Sequence, residues 1–313
     1  MKRNLVVLML LAGALLLTSC GKAEETASAT PAAEAPAAVS VQDFVAGYLA
    51  ALPENRTYIV SMDDFVEKVR SGEDMYIVDI RRADDYAKSH ARGAVNVPWG
   101  TSAMWESIPY LPQDRTVYVH CYSGQTAGQA IVMMRLAGIQ AVSVNSGWNL
   151  GISRVEGYED ILESEGTPLG TTRHDVPAQV MEMIQNHYQK MAQQAGTPFA
   201  NFFISEENAK AVLDAQDASV QFVSIRRPDD YAAGHIETAI NVPYNPSMAE
   251  MIPMLPADKT LVVYCYSGQQ SNQAVGLLRL LGYDAVSLIY GMGTPRTAPR
   301  GWANNGFPVV AAN

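Results

Sequence analysis

Beyond residue 40 the chain alternates short apolar runs with longer stretches whose apolar residues fall three and four apart. The short runs, rich in Val, Ile, Tyr and Thr, are Tyr76 to Ile80, Thr116 to His120 and Ala141 to Val144, then Gln221 to Ile225, Thr260 to Tyr264 and Ala285 to Ile289. Their length and composition predict strands. Between them, GQTAGQAIVMMRLAG and GQQSNQAVGLLRLLG have helical spacing and end on Gly138 and Gly282, which suit the left-handed turn that closes a helix. Strands alternating with helices of this length predict α/β units, each a small parallel sheet flanked by helices. Ligands of such folds sit beyond the carboxyl ends of the strands.

The pattern occurs twice. Val78 to Pro98 (VDIRRADDYAKSHARGAVNVP) and Val223 to Pro243 (VSIRRPDDYAAGHIETAINVP) share 13 of 21 positions, where chance gives about one. Ser61 and Ser205, Cys121 and Cys265, Gly138 and Gly282, and Gly147 and Gly291 keep an offset of 144. The expected organisation is a first domain over residues 41–165, a Gly, Thr and Pro-rich joint over 166–177, and a second domain over 178–313 that opens on the helical segment VPAQVMEMIQNHYQKMAQQA.

The start of the chain follows another logic. Lys2 and Arg3 precede an apolar run from Leu5 to Leu17 that closes on Thr18, Ser19 and Cys20. This is an export-signal pattern, and the run is shorter than the roughly 20 residues that span a bilayer. Leu17-Thr18-Ser19-Cys20 resembles the lipobox of bacterial lipoproteins. That resemblance implies a signal peptide over residues 1–19, a lipidated Cys20, and a location on the extracytoplasmic side of a bacterial membrane, facing the periplasm where two membranes are present. Residues 20–40, rich in Ala, Pro, Glu and Thr, read as a solvated tether.

Composition narrows the function classes. Apolar residues at 48% supply sizeable cores, and 22 basic against 32 acidic side chains give a net charge of −10. Without a basic block, the chain is not suited to a nucleic-acid partner. Three cysteines are too few for a disulfide scaffold. Cys121 and Cys265 each end a predicted strand and open a turn, CYSGQT or CYSGQQ, that runs straight into a helix. Gly124 or Gly268 in that turn can aim backbone N–H groups inward beside the positive end of the helix. A cysteine so placed is expected to be a nucleophilic thiolate. A small buried apolar side chain is the bland reading of one such cysteine; two copies in the same turn favour chemistry. No His and Cys spacing suggests zinc or another metal.

With these residues in view, each unit resembles a rhodanese (sulfurtransferase) domain, and the chain past the tether resembles a tandem-rhodanese protein. The early block of the family is matched by Asp79-Ile80-Arg81, Asp85-Tyr86, His90, Ala94, Asn96 and Pro98. The second copy has Arg226, Asp230-Tyr231, Gly234-His235-Ile236, Ala239, Asn241 and Pro243, with Ser224 in place of Asp79. The later Gly, Trp and Gly-x-Pro pattern is present as Gly291, Trp302 and Gly306-Phe307-Pro308, and only weakly after Gly147-Trp148.

The resemblance implies a six-residue active-site loop whose first residue carries a persulfide. In this chain the loops are Cys121, Tyr122, Ser123, Gly124, Gln125 and Thr126, and Cys265, Tyr266, Ser267, Gly268, Gln269 and Gln270. It also implies a small sulfur donor, a thiol or cyanide acceptor and no cofactor. The first loop is closer to the mercaptopyruvate type than to the thiosulfate type, which has basic residues just after the cysteine. Uncharged loops speak against a dianionic donor. A related phosphatase or arsenate reductase loop would end in an arginine, where this chain has Ala127 and Ser271. Ser123 and Ser267 are either thiolate partners or turn formers. Arg81 and Arg226 are expected to pair with carboxylates rather than bind substrate, His90 and His235 to brace the fold, and Trp99, Trp105 and Trp148 to lie in a core or domain interface. Two functional classes stay open: an enzyme that turns over, and a membrane-tethered persulfide carrier.

Overall fold

The computed structural model describes residues 39–52 and 58–312. Cys20, the export signal and most of the tether lie outside the described residues.

In the first half, α1 (Val41–Ala50), β1 (Ile59–Val60), α2 (Met62–Arg70), β2 (Tyr76–Asp79), α3 (Ala83–Lys88), β3 (His90–Ala91) and β4 (Ala94–Asn96) lead to α4 (Ala103–Glu106) and β5 (Thr116–His120). Then come α5 (Gln125–Leu136), β6 (Gln140–Val144), α6 (Gly147–Leu150) and β7 (Leu162–Glu163). The second half runs α7 (Ala178–Gln193), β8 (Phe203–Ile204), α8 (Glu206–Asp214), β9 (Val220–Ser224), α9 (Pro228–Ala233), β10 (Ile240–Asn241), α10 (Met248–Met251), β11 (Thr260–Tyr264), α11 (Gln269–Leu280) and β12 (Ala285–Leu288).

The strands form two five-stranded parallel sheets of the same order, β1-β6-β5-β2-β4 and β8-β12-β11-β9-β10. Local chemistry starts the matching helices in the same way. Ser61 and Ser205 cap α2 and α8 by accepting from the backbone of Asp64 (3.0 Å) and Asn208 (3.1 Å), with acidic residues in each first turn. The strands that end on the cysteines, β5 and β11, lie in the middle of their sheets. Val117, Val119, Leu261, Val262 and Val263 are accordingly buried.

The core is not confined to either half. One continuous apolar cluster contains residues of both sheets, of α5 and α11, and both cysteines, with smaller clusters on the outer face of each sheet. Helices α5 and α11 pack on each other as well as on their own sheets, so they are buried around most of their circumference. Gly128 makes the close approach possible, since a Cβ there would lie 2.5 Å from the Gln269 carbonyl oxygen.

The opening helix of each half lies against the other half. Helix α1 packs on α10, and Tyr48 donates to Gln273 Oε1 of α11 at 2.8 Å. Helix α7 packs on α4, with the Tyr188 ring 5.6 Å from that of Trp99 and 6.2 Å from that of Trp105. Those tryptophans therefore sit at the seam. The longer predicted strands are present to within a residue or so at their ends. The edge strands β1, β4, β8 and β10 are two or three residues long and carry no periodicity for a sequence to show.

Candidate functional site

Each cysteine emerges from the carboxyl end of a central strand and is followed within four residues by a helix. Gly124 and Gly268, at φ of +82° and +90°, make the turn. This conformation aims their backbone N–H groups back at the sulfur, 3.1 Å from Cys121 Sγ and 3.1 Å from Cys265 Sγ. The amino ends of α5 and α11 follow at once, so each sulfur faces both a donor and the positive end of a helix. Both thiols are free and nearly enclosed.

A second turn of backbone holds each loop from below. The Cys121 carbonyl accepts from Trp148 N (2.7 Å) and the Tyr122 carbonyl from Asn149 N (2.8 Å), while Cys265 and Tyr266 accept from Met292 N and Gly293 N, both at 2.9 Å. This is the role of the repeated Gly147 and Gly291. A Cβ at either would come 2.5 Å or 2.4 Å from the cysteine carbonyl oxygen.

The tyrosines after the cysteines tie the loops to the early sequence block. Tyr122 donates to Asp85 Oδ2 at 2.5 Å and accepts from Arg82 N at 3.2 Å. Tyr266 makes a short bond to Asp230 and accepts from Arg227 N. Tyr122, Lys88 and Arg82 hold the Asp85 carboxyl well below the usual range, and Arg227 and Tyr266 lower that of Asp230. The sequence pointed to the Asp-Tyr block but not to this anchoring.

The glutamines at the fifth loop position do something that no local pattern reveals. Gln125 accepts from the backbone of Tyr290 at 2.9 Å, and Gln269 accepts from the backbone of Ser146 at 3.1 Å while donating to Ser143 Oγ (2.9 Å) and the Val144 carbonyl (3.2 Å). Each glutamine thus reaches from its own loop into the other half. Gln269 packs on Gly124 and Gln125 on Gly268, where a Cβ would meet the glutamine oxygen at 2.6 Å and 2.2 Å. The two loops are neighbours across the seam, and each is braced by the other. Ser123 Oγ accepts from Gln125 Nε2 at 3.1 Å, while Thr126 and Gln270 lie half-buried in the first turns of α5 and α11.

Other candidate residues make contacts within their own halves. Arg81 grips Asp79 through Nε and Nη2 (2.6 Å), donates to the Ser89 carbonyl and lies 3.9 Å over the Trp148 ring. Arg226 departs from the expected carboxylate pairing, because Ser224 stands where the first copy has Asp79: among the described residues it makes no ion pair, donates to the Gly234 carbonyl and faces the Tyr264 and Tyr266 rings at 5.6 and 5.9 Å. His90 and His235 stack on Tyr86 and Tyr231 and bond to their carbonyls. His120 is enclosed, and burial pushes its pKa down to about 4, which keeps the ring neutral.

Residues 61–151 and 207–292 each match the rhodanese-like domain model. The chain is 33% identical over 111 residues to a sulfurtransferase of Allochromatium vinosum, covering 34% of this chain and 92% of that protein. It is 32% identical over 99 residues to a thiosulfate:glutathione sulfurtransferase of Saccharomyces cerevisiae, covering 28% of this chain and 71% of that one. Among solved structures, a thiosulfate sulfurtransferase from Pseudomonas aeruginosa is 19% identical with a TM-score of 0.30, covering 83% of this chain and 48% of that one.

Proposed function

Because the chain belongs to the rhodanese-like domain family, of which it carries two copies, we propose that it is a sulfurtransferase that moves sulfane sulfur through persulfides on Cys121 and Cys265. The observation that carries this reading is the paired geometry of free thiol, inward N–H group and helix amino end, present in both halves. The cysteine thiolate attacks the outer sulfur of a small donor, forming an S–S bond as the donor's own bond to that sulfur breaks and its electron pair leaves with the remainder. The Gly124 or Gly268 N–H and the helix end stabilise the negative charge on the persulfide. An acceptor such as cyanide or a thiol then takes the terminal sulfur and returns the thiolate. The pattern around Cys20 supports an exported, lipid-anchored enzyme that meets its acceptor outside the cytoplasm; membrane release on Cys20→Ala checks that part.

Thiocyanate formation by the chain without its export signal tests the reaction. Activity is expected to survive Cys121→Ser or Cys265→Ser alone and to vanish in the double variant, with mass spectrometry finding one added sulfur atom on each cysteine. Full activity of the double variant would remove the cysteine mechanism. A persulfide that forms but does not turn over would make the protein a sulfur carrier.

A further inference from the structure

The early sequence block is built alike in the two halves except at one buried place. In the first half the Asp79 carboxylate collects the donors around it. The Arg81 backbone N–H (2.9 Å) and Nε–H (3.1 Å) converge on Oδ1, and Nη2 reaches Oδ2 at 2.6 Å. The second half keeps the guanidinium in the same pose, since Arg226 Nη2 donates to the Gly234 carbonyl as Arg81 Nη2 donates to that of Ser89. The carboxylate is what changes. Ser224 stands in the place of Asp79, Tyr264 in that of His120, and Met292 in that of Trp148, whose ring lies 3.9 Å from the Arg81 guanidinium.

The second half is left with a set of donors and a charge. Ser224 is fully buried and Arg226 is 6% exposed. Ser224 Oγ and Arg226 Nε have no hydrogen-bond partner among the described residues, and neither has the Arg226 backbone N–H. The Tyr264 hydroxyl accepts from Ile236 N at 3.2 Å, which leaves its own proton to give. Burial raises that phenol, while the Ile236 N–H, Ser224 and Arg226 oppose the rise, so the hydroxyl is within reach of both side chains. Arg226 cannot shed its proton, and a guanidinium buried without a counter-charge is strongly destabilising. Its two aromatic neighbours, at 5.6 and 5.9 Å, lie at the limit of cation–π attraction. Asp230 feels the charge of Arg226, but its carboxylate is bound to Arg227 and Tyr266. A water molecule does not balance this set. Its oxygen accepts two hydrogen bonds, whereas three donors remain even with the phenol donating to the serine, and water carries no charge.

We infer that the second half binds one small monovalent anion, of halide size, between Ser224, Arg226 and Tyr264, in the position that the Asp79 carboxylate takes in the first half. The anion accepts from Arg226 N and Nε and from the Ser224 and Tyr264 hydroxyls. Its size follows from the exchange that makes room for it. Asp to Ser removes one carboxyl group from an enclosed position, which suits chloride or bromide and gives no place to an organic acid. The ion completes the brace that Asp79 supplies within the first half. It also bears on the Cys265 loop, because Arg227, next in the chain, donates its backbone N–H to Tyr266. This site is separate from the sulfur-transfer chemistry and does not depend on it.

Thermal unfolding at constant ionic strength distinguishes binding from screening. Replacing sodium gluconate, whose anion is too large to enter, by sodium chloride should raise Tm by about 4 °C at a concentration about thirtyfold above the dissociation constant. Ser224→Asp, which restores the arrangement of the first half, should have the higher Tm in gluconate already and gain nothing from chloride. Arg226→Gln should also lose the chloride response, and Ser224→Ala, which keeps the cation, should weaken chloride binding about tenfold. Crystals grown in bromide give a readout that needs no variant: an anomalous peak is expected in contact with Ser224 Oγ and Arg226 Nε. Equal Tm in the two salts, a chloride response that survives Ser224→Asp or Arg226→Gln, or the absence of a bromide peak at that place overturns the anion site and leaves sulfur transfer untouched.

Discussion

At the scale of single residues, the informative side chains are those that do their work away from their own sequence neighbourhood. The CYSG turns could be read directly, because a cysteine, a glycine and a helix start within four residues leave few geometries open. Gln125 and Gln269 could not, since their partners lie 165 and 123 residues away. Removing either takes the partner from a half-buried backbone N–H across the seam, of Tyr290 or of Ser146, at a cost of about 1 kcal/mol. Its kinetic effect should fall on the other site. In a Cys265→Ser background, Gln269→Ala changes a loop that no longer reacts, yet thiocyanate formation at Cys121 should drop about tenfold because the seat under Gly124 loosens. Unchanged turnover would show that the brace is not needed for catalysis.

At the scale of elements, α5 and α11 present an apparent mismatch between pattern and place. Their sequences have the apolar spacing of helices that cover one sheet, and that much was legible. What the spacing does not reveal is that the polar faces are also covered, because Gln129, Gln273 and Asn272 look surface-bound and are in fact buried at the seam, where Gln129 donates to Asn272 at 2.6 Å. Small residues decide how near the helices come. Gly128→Ala sets a methyl group against backbone and should destabilise the fold by about 1 to 3 kcal/mol. Gly276→Ala meets only the Val132 side chain, at 3.2 Å, and should cost less. Chemical denaturation of the two variants compares them, and an equal loss would mean that the helices slide apart without penalty.

At the scale of the whole molecule, the duplication and the α/β class of each half follow from the sequence, whereas the strand order and the exchange of opening helices do not. Nothing in VQDFVAGYLA or AQVMEMIQNHYQKMAQ names the surface it covers, since an amphipathic face fits any apolar groove of suitable shape. The consequence concerns independence. Fragments ending and beginning within residues 166–177 expose the central cluster and lose an opening helix's packing surface, so neither should show cooperative unfolding alone, while coexpression should restore it. Two separately cooperative fragments would contradict the shared core. The crossed glutamines give the seam a further meaning. Reciprocal contacts, in which one copy's residue touches the other's and the reverse, are those of a symmetric dimer written into one chain. In a dimer of identical subunits every substitution appears twice, at both sites together. Covalent fusion lifts that constraint, and Ser146 against Tyr290, Asp79 against Ser224 and His120 against Tyr264 mark where two once-equal workplaces were free to take up different trades.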